Sequence, residues 1–326
     1  MNGHVNPGVS EATDALYHHV AFCIDNRYFR AMGATIASLI AHNPDLHFHF
    51  HILAFEVADE HRQRVDQLQQ RLNVLADIHL IDANQFTQFA PFVRSTYYSP
   101  SIFTRLLIPE VLKEVAAKVL YLDADILCVG DVRELLEADV SEEIALVVPD
   151  AEATTKRRVA ALHLKGGDYF NSGVMLINVQ RWLAAEITQA TIASILKDGK
   201  SFRFPDQDAL NVVLDGRVKF IERKWNFLHG LVGDLENGRY QMRPLDDARL
   251  VHFAGSVKPW SNWTLHASTQ LFARHHAQSP WSDMDMDEIP QNYKEMRMYA
   301  LFLKQRGKYY QSFVWFVKYL CARPRG

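Results

Sequence analysis

Residues 118–131 read KVLYLDADILCVGD. A mostly apolar run rich in β-branched and aromatic side chains leads into Asp123, Asp125 follows two positions on, and a second apolar run ends in a Gly-Asp turn. A run this short and this apolar reads as a strand buried on both faces, as in sheets that are mainly parallel. A bare Asp-x-Asp is common among solvated and capping acids. Here it closes a buried strand, where two unpaired carboxylates are costly unless a cation holds them. Hard divalent ions prefer oxygen ligands, so Asp123 and Asp125 are the candidate ligands of a metal that bridges two phosphate oxygens.

On either side of this segment, short apolar runs alternate with longer helical patterns, which predicts βα units and a mostly parallel sheet. The spacing predicts strands over 19–25, 46–54, 77–82, 118–123, 144–150 and 170–179, and shorter ones over 218–221 and 250–253. Helices are expected over 28–41, 59–74, 101–115, 181–196 and 207–214, and residues 259–290 as irregular structure that wraps the body. Ligands of open α/β sheets sit beyond the carboxyl ends of the strands, where Asp25, Asp82, Asp123 and Asp150 stand.

With 326 residues, 48% of them hydrophobic and 22% charged, the chain buries a large core and is not disordered. Three scattered cysteines, Cys23, Cys128 and Cys321, make no disulfide framework or thiolate cage and suit a reducing compartment. The opening MNGHVNPGVSEATDALYHH lacks the basic flank and apolar run of a secretory signal, and a cytoplasmic location is expected. The net charge of −3 is uneven. Residues 291–326 carry eight bases (Lys294, Arg297, Lys304, Arg306, Lys308, Lys318, Arg323, Arg325) against Glu295, a balance of +7 that leaves −10 for the rest. An acidic body disfavours nucleic-acid binding and makes the tail a separate electrostatic object.

Five segments in order, AFCIDNRYFRAMGATIASLI, SIFTRLLIPEVL, KVLYLDADILCVGDV, YFNSGVMLINVQRW with DQDALN, and HFAGSVKPW, resemble glycosyltransferase family 8, especially its bacterial lipopolysaccharide glucosyl- and galactosyltransferases. The resemblance runs from about residue 20 to 263. It implies a single Rossmann-like, GT-A type nucleotide-sugar-binding domain over 15–265, followed by a wrapping segment and a basic helical tail over 266–326. It implies retaining transfer of glucose or galactose from a UDP-sugar to a lipid-anchored core oligosaccharide.

The family pattern places Phe22, Asp25 and Asn26 at the uridine, with Ile24 standing where some members carry an acid. Asp123, Asp125 and His252 hold Mn²⁺ or Mg²⁺ in that pattern, and an imidazole ligand tilts the choice toward Mn²⁺. Ala124 touches the ribose, Gly255 and Lys258 meet the diphosphate, and Arg105 reaches a phosphate or the sugar. Asp150, Asn171 and Asp206 belong at the donor sugar, with Gln207 near the reactive face of the anomeric carbon. Read without the family, Lys258 and Arg105 are ordinary surface cations and Asp206 is a helix N-cap.

Aromatics interleave with bases in the tail, which predicts an interfacial helix on an anionic membrane. Two other readings stand beside transfer. One is another metal-dependent nucleotide-sugar enzyme, such as a nucleotidyltransferase or a donor hydrolase; the first of these calls for a Gly-rich phosphate loop, and RAMGATIAS has one glycine. The other is a noncatalytic sugar-binding protein on the same scaffold.

Overall fold

The computed structural model describes residues 17–93 and 100–323. Residues 15 and 16 of the expected domain, and Arg325 of the tail, lie outside them.

Seven strands form the main sheet: β1 (His18–Cys23), β2 (Phe48–Ala54), β3 (Leu75–Leu80), β4 (Lys118–Leu122), β6 (Ala145–Pro149), β7 (Phe170–Asn178) and β8 (Lys219–Phe220). They lie in the order β3-β2-β1-β4-β7-β6-β8. The pairs β3–β2, β2–β1, β1–β4 and β6–β8 are parallel, and β7 is antiparallel to both neighbours, so the sheet is mostly parallel as expected. Period-two alternation divides the side chains between two cores. Val20, Phe22, Phe50, Ile52, Leu120 and Leu122 face one layer, and Ala21, Leu53, Val119, Tyr121 and Met175 face the other.

A second, three-stranded sheet was not anticipated. β5 (Ile126–Cys128), β9 (Phe227–Leu228) and β10 (Leu250–His252) join in the order β5-β10-β9. Strand β10 runs antiparallel to β5 with His252 opposite Ile126, which carries a residue far along the chain to the Asp-x-Asp turn. The helix Phe29–His42 holds the same turn from behind: Thr35 Oγ1 donates to the Ile126 carbonyl at 2.7 Å, and Cys128 N donates to Ser38 Oγ at 2.9 Å.

Four expectations need correction. The helix over 101–115 is a 3-10 run, Pro100–Leu107, followed by the short α-helix Ile108–Leu112, with Pro109 in its first turn. The single helix over 181–196 is two, Val179–Ala184 and Ile187–Asp198, broken at Glu186, whose φ of 52° is left-handed. The break lets the buried Trp182 Nε1 donate to Thr188 Oγ1 at 3.0 Å. Residues 259–290 are not wholly irregular, since Ala267–His276 is a helix capped by the His266 side chain and buries Phe272, His275 and His276. Trp281, fully buried, stacks on Phe29 at 5.9 Å and donates to His61 Nδ1 at 3.1 Å. The tail, finally, is a hairpin of helices Tyr293–Gln305 and Tyr309–Ala322, not one interfacial helix. The first drives Met298, Phe302 and Leu303 into the same core as Val20 and Phe22, so that core is continuous past residue 265. The second has no buried residue and exposes Tyr310, Phe313, Phe316 and Leu320.

Glu295 sits at the start of that hairpin, 4% exposed, and accepts from Gln291 N at 2.7 Å. Burial pushes its carboxyl up to about 7, with Asp287 adding to the push and the Gln291 N–H opposing it. An acid whose folded value lies above its unfolded one holds more protons when folded, so stability falls as pH rises from the ordinary glutamate range through about 7. The full effect is about 3 kcal/mol. Glu295→Gln keeps the acceptor and is expected to remove that slope, raising stability above about pH 7 while changing little at pH 5. Urea unfolding at both pH values measures it, and parallel loss in wild type and variant would refute it.

Candidate active site

The turn between β4 and β5 is clamped on both sides. Asp123 N donates to the Gly173 carbonyl at 2.8 Å, and Phe253 N donates to the Asp125 carbonyl at 3.0 Å. His252 Nε2 then lies 3.2 Å from Asp125 Oδ1 and 3.8 Å from Asp123 Oδ2. Its other nitrogen, Nδ1, donates to Asn226 Oδ1 at 3.0 Å, which fixes the ring and turns Nε2 toward the carboxylates.

Ligand atoms from Asp123, Asp125 and His252 all lie within 4.8 Å of one another. Asp125 Oδ1 is buried and accepts no hydrogen bond, while Oδ2 takes one from Lys258. An orphaned carboxylate oxygen in the interior is expensive, and two carboxylates with an imidazole are a donor set for a divalent cation. The residues therefore fit a metal. Burial works against charging His252, but Asp125 and Asp123 outweigh it and raise the imidazole above its ordinary value. Burial works against Asp125 too, and there Lys258 and His252 win and hold the carboxyl far below the usual range.

Gly173 packs where no side chain fits. A Cβ there would stand 2.5 Å from His252 Cε1 and 2.9 Å from Asp123 Oδ2. Because Asn226 holds the ring, Gly173→Ala must push His252 off its partners. Divalent-cation binding is expected to weaken roughly tenfold to a hundredfold, read as a shift in the Mn²⁺ dependence of turnover. An unshifted dependence would show that the ring is not where the metal binds.

Two adjoining cavities share Ile102, Arg105, Asp123, Asp125 and Lys258. The smaller, about 120 Å³, opens at the end of β1 and is lined by Cys23, Ile24, Asp25, Arg27, Tyr28 and Ala124. The larger, about 570 Å³, adds Asp150, Asn171, Ser172, Asp206, Gln207, His252 and Gly255, then Asp234, Arg239 and Arg243 on its far wall. Asp82 caps residues 83–89, accepting from Asn84 N at 2.9 Å, and lines neither cavity. Of the residues placed by the family pattern, all but two line one cavity or the other. Phe22 is the first exception. Strand parity turns its ring into the core, fully buried and 6.2 Å from Phe50, so the ring is not available to a base. Asn26 is the second. Its amide is spent on the loop before the helix Asp59–Leu72, accepting from Ala58 N at 3.1 Å and donating to Glu56 at 3.4 Å.

Arg105 is buried rather than a surface cation. Its guanidinium lies 3.2 Å from Asp123 Oδ1 and 3.3 Å from Asp206 Oδ2, donates to Ser172 Oγ at 2.9 Å, and sits 4.7 Å from the Tyr121 ring centre. The Gln207 amide is held at both ends. Nε2 donates to Asp150 Oδ2 at 3.0 Å and to Tyr169 Oη at 2.9 Å, and Oε1 accepts from Ser172 N at 3.0 Å. Asn171 Nδ2 also reaches Asp150 Oδ2, at 3.3 Å.

Sequence reading missed the groups that hold these side chains. Asp208, wholly buried, accepts from Tyr169 Oη at 2.6 Å and from Arg158 at 3.1 and 2.7 Å, and its Oδ2 also takes Arg203 N and Phe204 N at the start of the helix Pro205–Val213. Asn226 joins His252 to Asn171, donating to Asn171 Oδ1 at 2.9 Å. A second Asp in DQDALN was the one available signal.

The description Glycosyl transferase family 8 matches residues 19–264, and Glycosyl transferase family 8 C-terminal matches 266–323. The chain is 32% identical to a lipopolysaccharide 1,3-galactosyltransferase of Salmonella typhimurium, over 84% of this chain and 82% of that one. It is 26% identical to a lipopolysaccharide 1,2-glucosyltransferase of Escherichia coli K12, over 94% and 90%. Among solved structures, the galactosyltransferase LgtC in complex with donor and acceptor sugar analogues superposes with a TM-score of 0.69 at 21% identity, covering 80% of this chain and 96% of that one, and so shares the fold.

Proposed function

Because this chain belongs to glycosyl transferase family 8, and is therefore a glycosyltransferase, we propose that it moves glucose or galactose from a UDP-sugar, with retention, to the oligosaccharide core of lipopolysaccharide. The observation that carries the reading is the meeting of Asp123, Asp125 and His252 where two cavities of about 120 and 570 Å³ adjoin, the two aspartates lining both and His252 the larger. Lipopolysaccharide hexosyltransferases from two bacteria, aligned over most of their length, support the acceptor class.

In this reading Asp25 and Ala124 border the nucleoside, and Asp123, Asp125 and His252 hold Mn²⁺ or Mg²⁺, with the imidazole favouring Mn²⁺. A bound divalent cation supplies charge neutralisation for the departing diphosphate. Lys258 and Arg105, on the wall common to both cavities, add fixed positive charge for the same leaving group. Gly255, at a φ of 110°, keeps a side chain out of the diphosphate's path. Asp150, Asn171 and Asp206 address the sugar hydroxyls.

Retention needs either a nucleophile beneath the ring or attack on the face that UDP leaves. Asp206 is tied to Arg105, both Asp150 oxygens accept hydrogen bonds, and Gln207 carries no charge. That favours same-face substitution, with a UDP phosphate oxygen taking the acceptor's proton and Gln207 steadying the cationic sugar. Residues 15–265 form the catalytic unit in this proposal, working in the cytoplasm against the inner membrane.

No helix among the described residues is long and apolar enough to cross a membrane. The exposed aromatic face of Tyr309–Ala322, flanked by Lys308, Lys318 and Arg323, is the surface proposed to rest on anionic lipid, each base adding on the order of 1 kcal/mol. A chain ending at Gly307 should then no longer sediment with anionic vesicles, and undiminished binding would remove this contact.

The function is tested by incubating the protein with UDP-glucose or UDP-galactose, Mn²⁺ and lipopolysaccharide core oligosaccharide, with UDP release and the product's anomeric configuration as readouts. Acceptor-dependent release with retention is expected. Release that ignores the acceptor would indicate a hydrolase, and no release from either donor a sugar-binding protein.

A further inference from the structure

Five titratable side chains gather on one face of the main sheet, away from the strand ends that build the active site. In the parallel register His19 pairs with His49, Ala21 with His51, His51 with Asp77 and Leu53 with His79. Period-two alternation therefore turns His19, His49, His51, Asp77 and His79 to the same side. His51, wholly buried, is the centre. Its Nε2 lies 2.9 Å from His19 Nδ1 and its Nδ1 lies 3.1 Å from His79 Nε2. His49 Nε2 contacts Asp77 Oδ2 at 2.7 Å.

We propose that His51 Nδ1, His79 Nε2 and the Asp77 carboxylate form a second transition-metal site, best suited to Zn²⁺ and independent of the catalytic centre. Ligand atoms from these three residues already fall within 4.8 Å of one another. Two nitrogens that bind one tetrahedral zinc stand about 3.3 Å apart, close to the 3.1 Å between His51 and His79. Two imidazoles and a carboxylate leave a fourth position for water. Asp77, with 58% of its side chain exposed, gives the ion a way in from solvent.

The protonation states suit the role. Burial, followed by the neighbouring imidazoles, pulls His51 well below its ordinary value, and burial lowers His79 as well. Both rings are therefore neutral at neutral pH, the form that binds metals. With Nδ1 given to the ion, His51 carries its proton on Nε2 and donates it to His19 Nδ1. Likewise His49 Nε2–H donates to Asp77. Each of these two ligands thus has an outer-shell partner already in place, as metal-bound histidines and carboxylates ordinarily do. The ion would tie the edge strand β3 to β2, where only one side of β3 is hydrogen-bonded in the sheet.

The test is titration of the full chain with Zn²⁺ by calorimetry, repeated on His79→Gln and Asp77→Asn, with Asp125→Asn to identify zinc taken up at the catalytic carboxylates. Wild type should bind one more zinc per chain than either His79→Gln or Asp77→Asn, or bind it on the order of a hundredfold more tightly, and that uptake should survive Asp125→Asn. Zinc should raise the melting temperature of wild type more than that of those two variants, whose sugar transfer stays at the wild-type rate. Zinc affinity and stoichiometry unchanged by both His79→Gln and Asp77→Asn would overturn the assignment and leave the histidines as a packed ladder.

Discussion

Asp125→Asn is expected to lower sugar transfer on the order of a thousandfold with the fold intact. The substitution is nearly isosteric, so the turn between β4 and β5 keeps its backbone bonds to Gly173 and Phe253. What it removes is charge. Asp125 Oδ1, buried and facing His252 Nε2 at 3.2 Å without a hydrogen bond, is the oxygen best placed for a cation, and an amide in its position carries no formal charge to offer. Lys258 and His252 both take their settings from this carboxylate, since Lys258 donates to it and His252 is raised by it. Without it the imidazole falls back toward the neutral state that burial favours, and the site loses its anionic centre. Initial rates at saturating Mn²⁺ and donor, with far-UV circular dichroism as a control for folding, measure the effect. A loss below tenfold in a folded variant would mean that Asp125 is not a metal ligand.

The second large effect is on stability. Arg105→Met leaves Asp123 and Asp206 facing each other without the guanidinium that lies 3.2 and 3.3 Å from them. Removing one member of a buried ion pair costs about 3–5 kcal/mol, because the remaining charge is stranded. Burial already pushes the Asp206 carboxyl up, Arg105 pulls it down, and Asp123 pushes it up. Without Arg105 the two largest remaining influences, burial and Asp123, point upward and are opposed only by the Asp206 and Gln207 N–H groups, so the folded variant takes up a proton that the unfolded chain releases. Its stability deficit should therefore shrink as pH falls from about 8 to about 5.5. Urea unfolding of wild type and variant across that range reads both the cost and its slope. A pH-independent deficit would place the loss in packing against Tyr121 instead. Transfer should fall as well, since Arg105 lines both cavities.

How far the sequence could be read depended on whether the information was local. The strand into Asp123 announced itself by composition, and the two carboxylates two residues apart needed only the end of that strand to become a candidate site. Asp150, Asn171, Asp206 and Gln207 were legible as parts of recognisable segments, and all line the larger cavity. His252 was legible for the same reason, but its delivery by a second small sheet was not: β5 and β9 are two or three residues long, too short to show a period.

The failures have equally specific causes. Phe22 was assigned to the base although alternation from the core-facing Val20 turns it inward, while Ala21 and Cys23 share the opposite face, and Cys23 is the one that lines the cavity. Asp208, Tyr169, Arg158 and Asn226 act through side-chain partners 26 to 55 positions away, and only the second Asp of DQDALN gave any local sign of them. The helix Ala267–His276 escaped notice because it buries polar residues, His275 and His276, where an apolar stripe is the usual sign.

Everything in the catalytic proposal rests on one ion held by Asp123, Asp125 and His252. The direct measurement is electron spin echo spectroscopy of Mn²⁺ bound to the protein with UDP. The account predicts one bound ion per chain with coupling to an imidazole nitrogen, and loss of that coupling in His252→Gln. Mn²⁺ that binds with UDP but shows no imidazole nitrogen, or shows one that persists in His252→Gln, would contradict it.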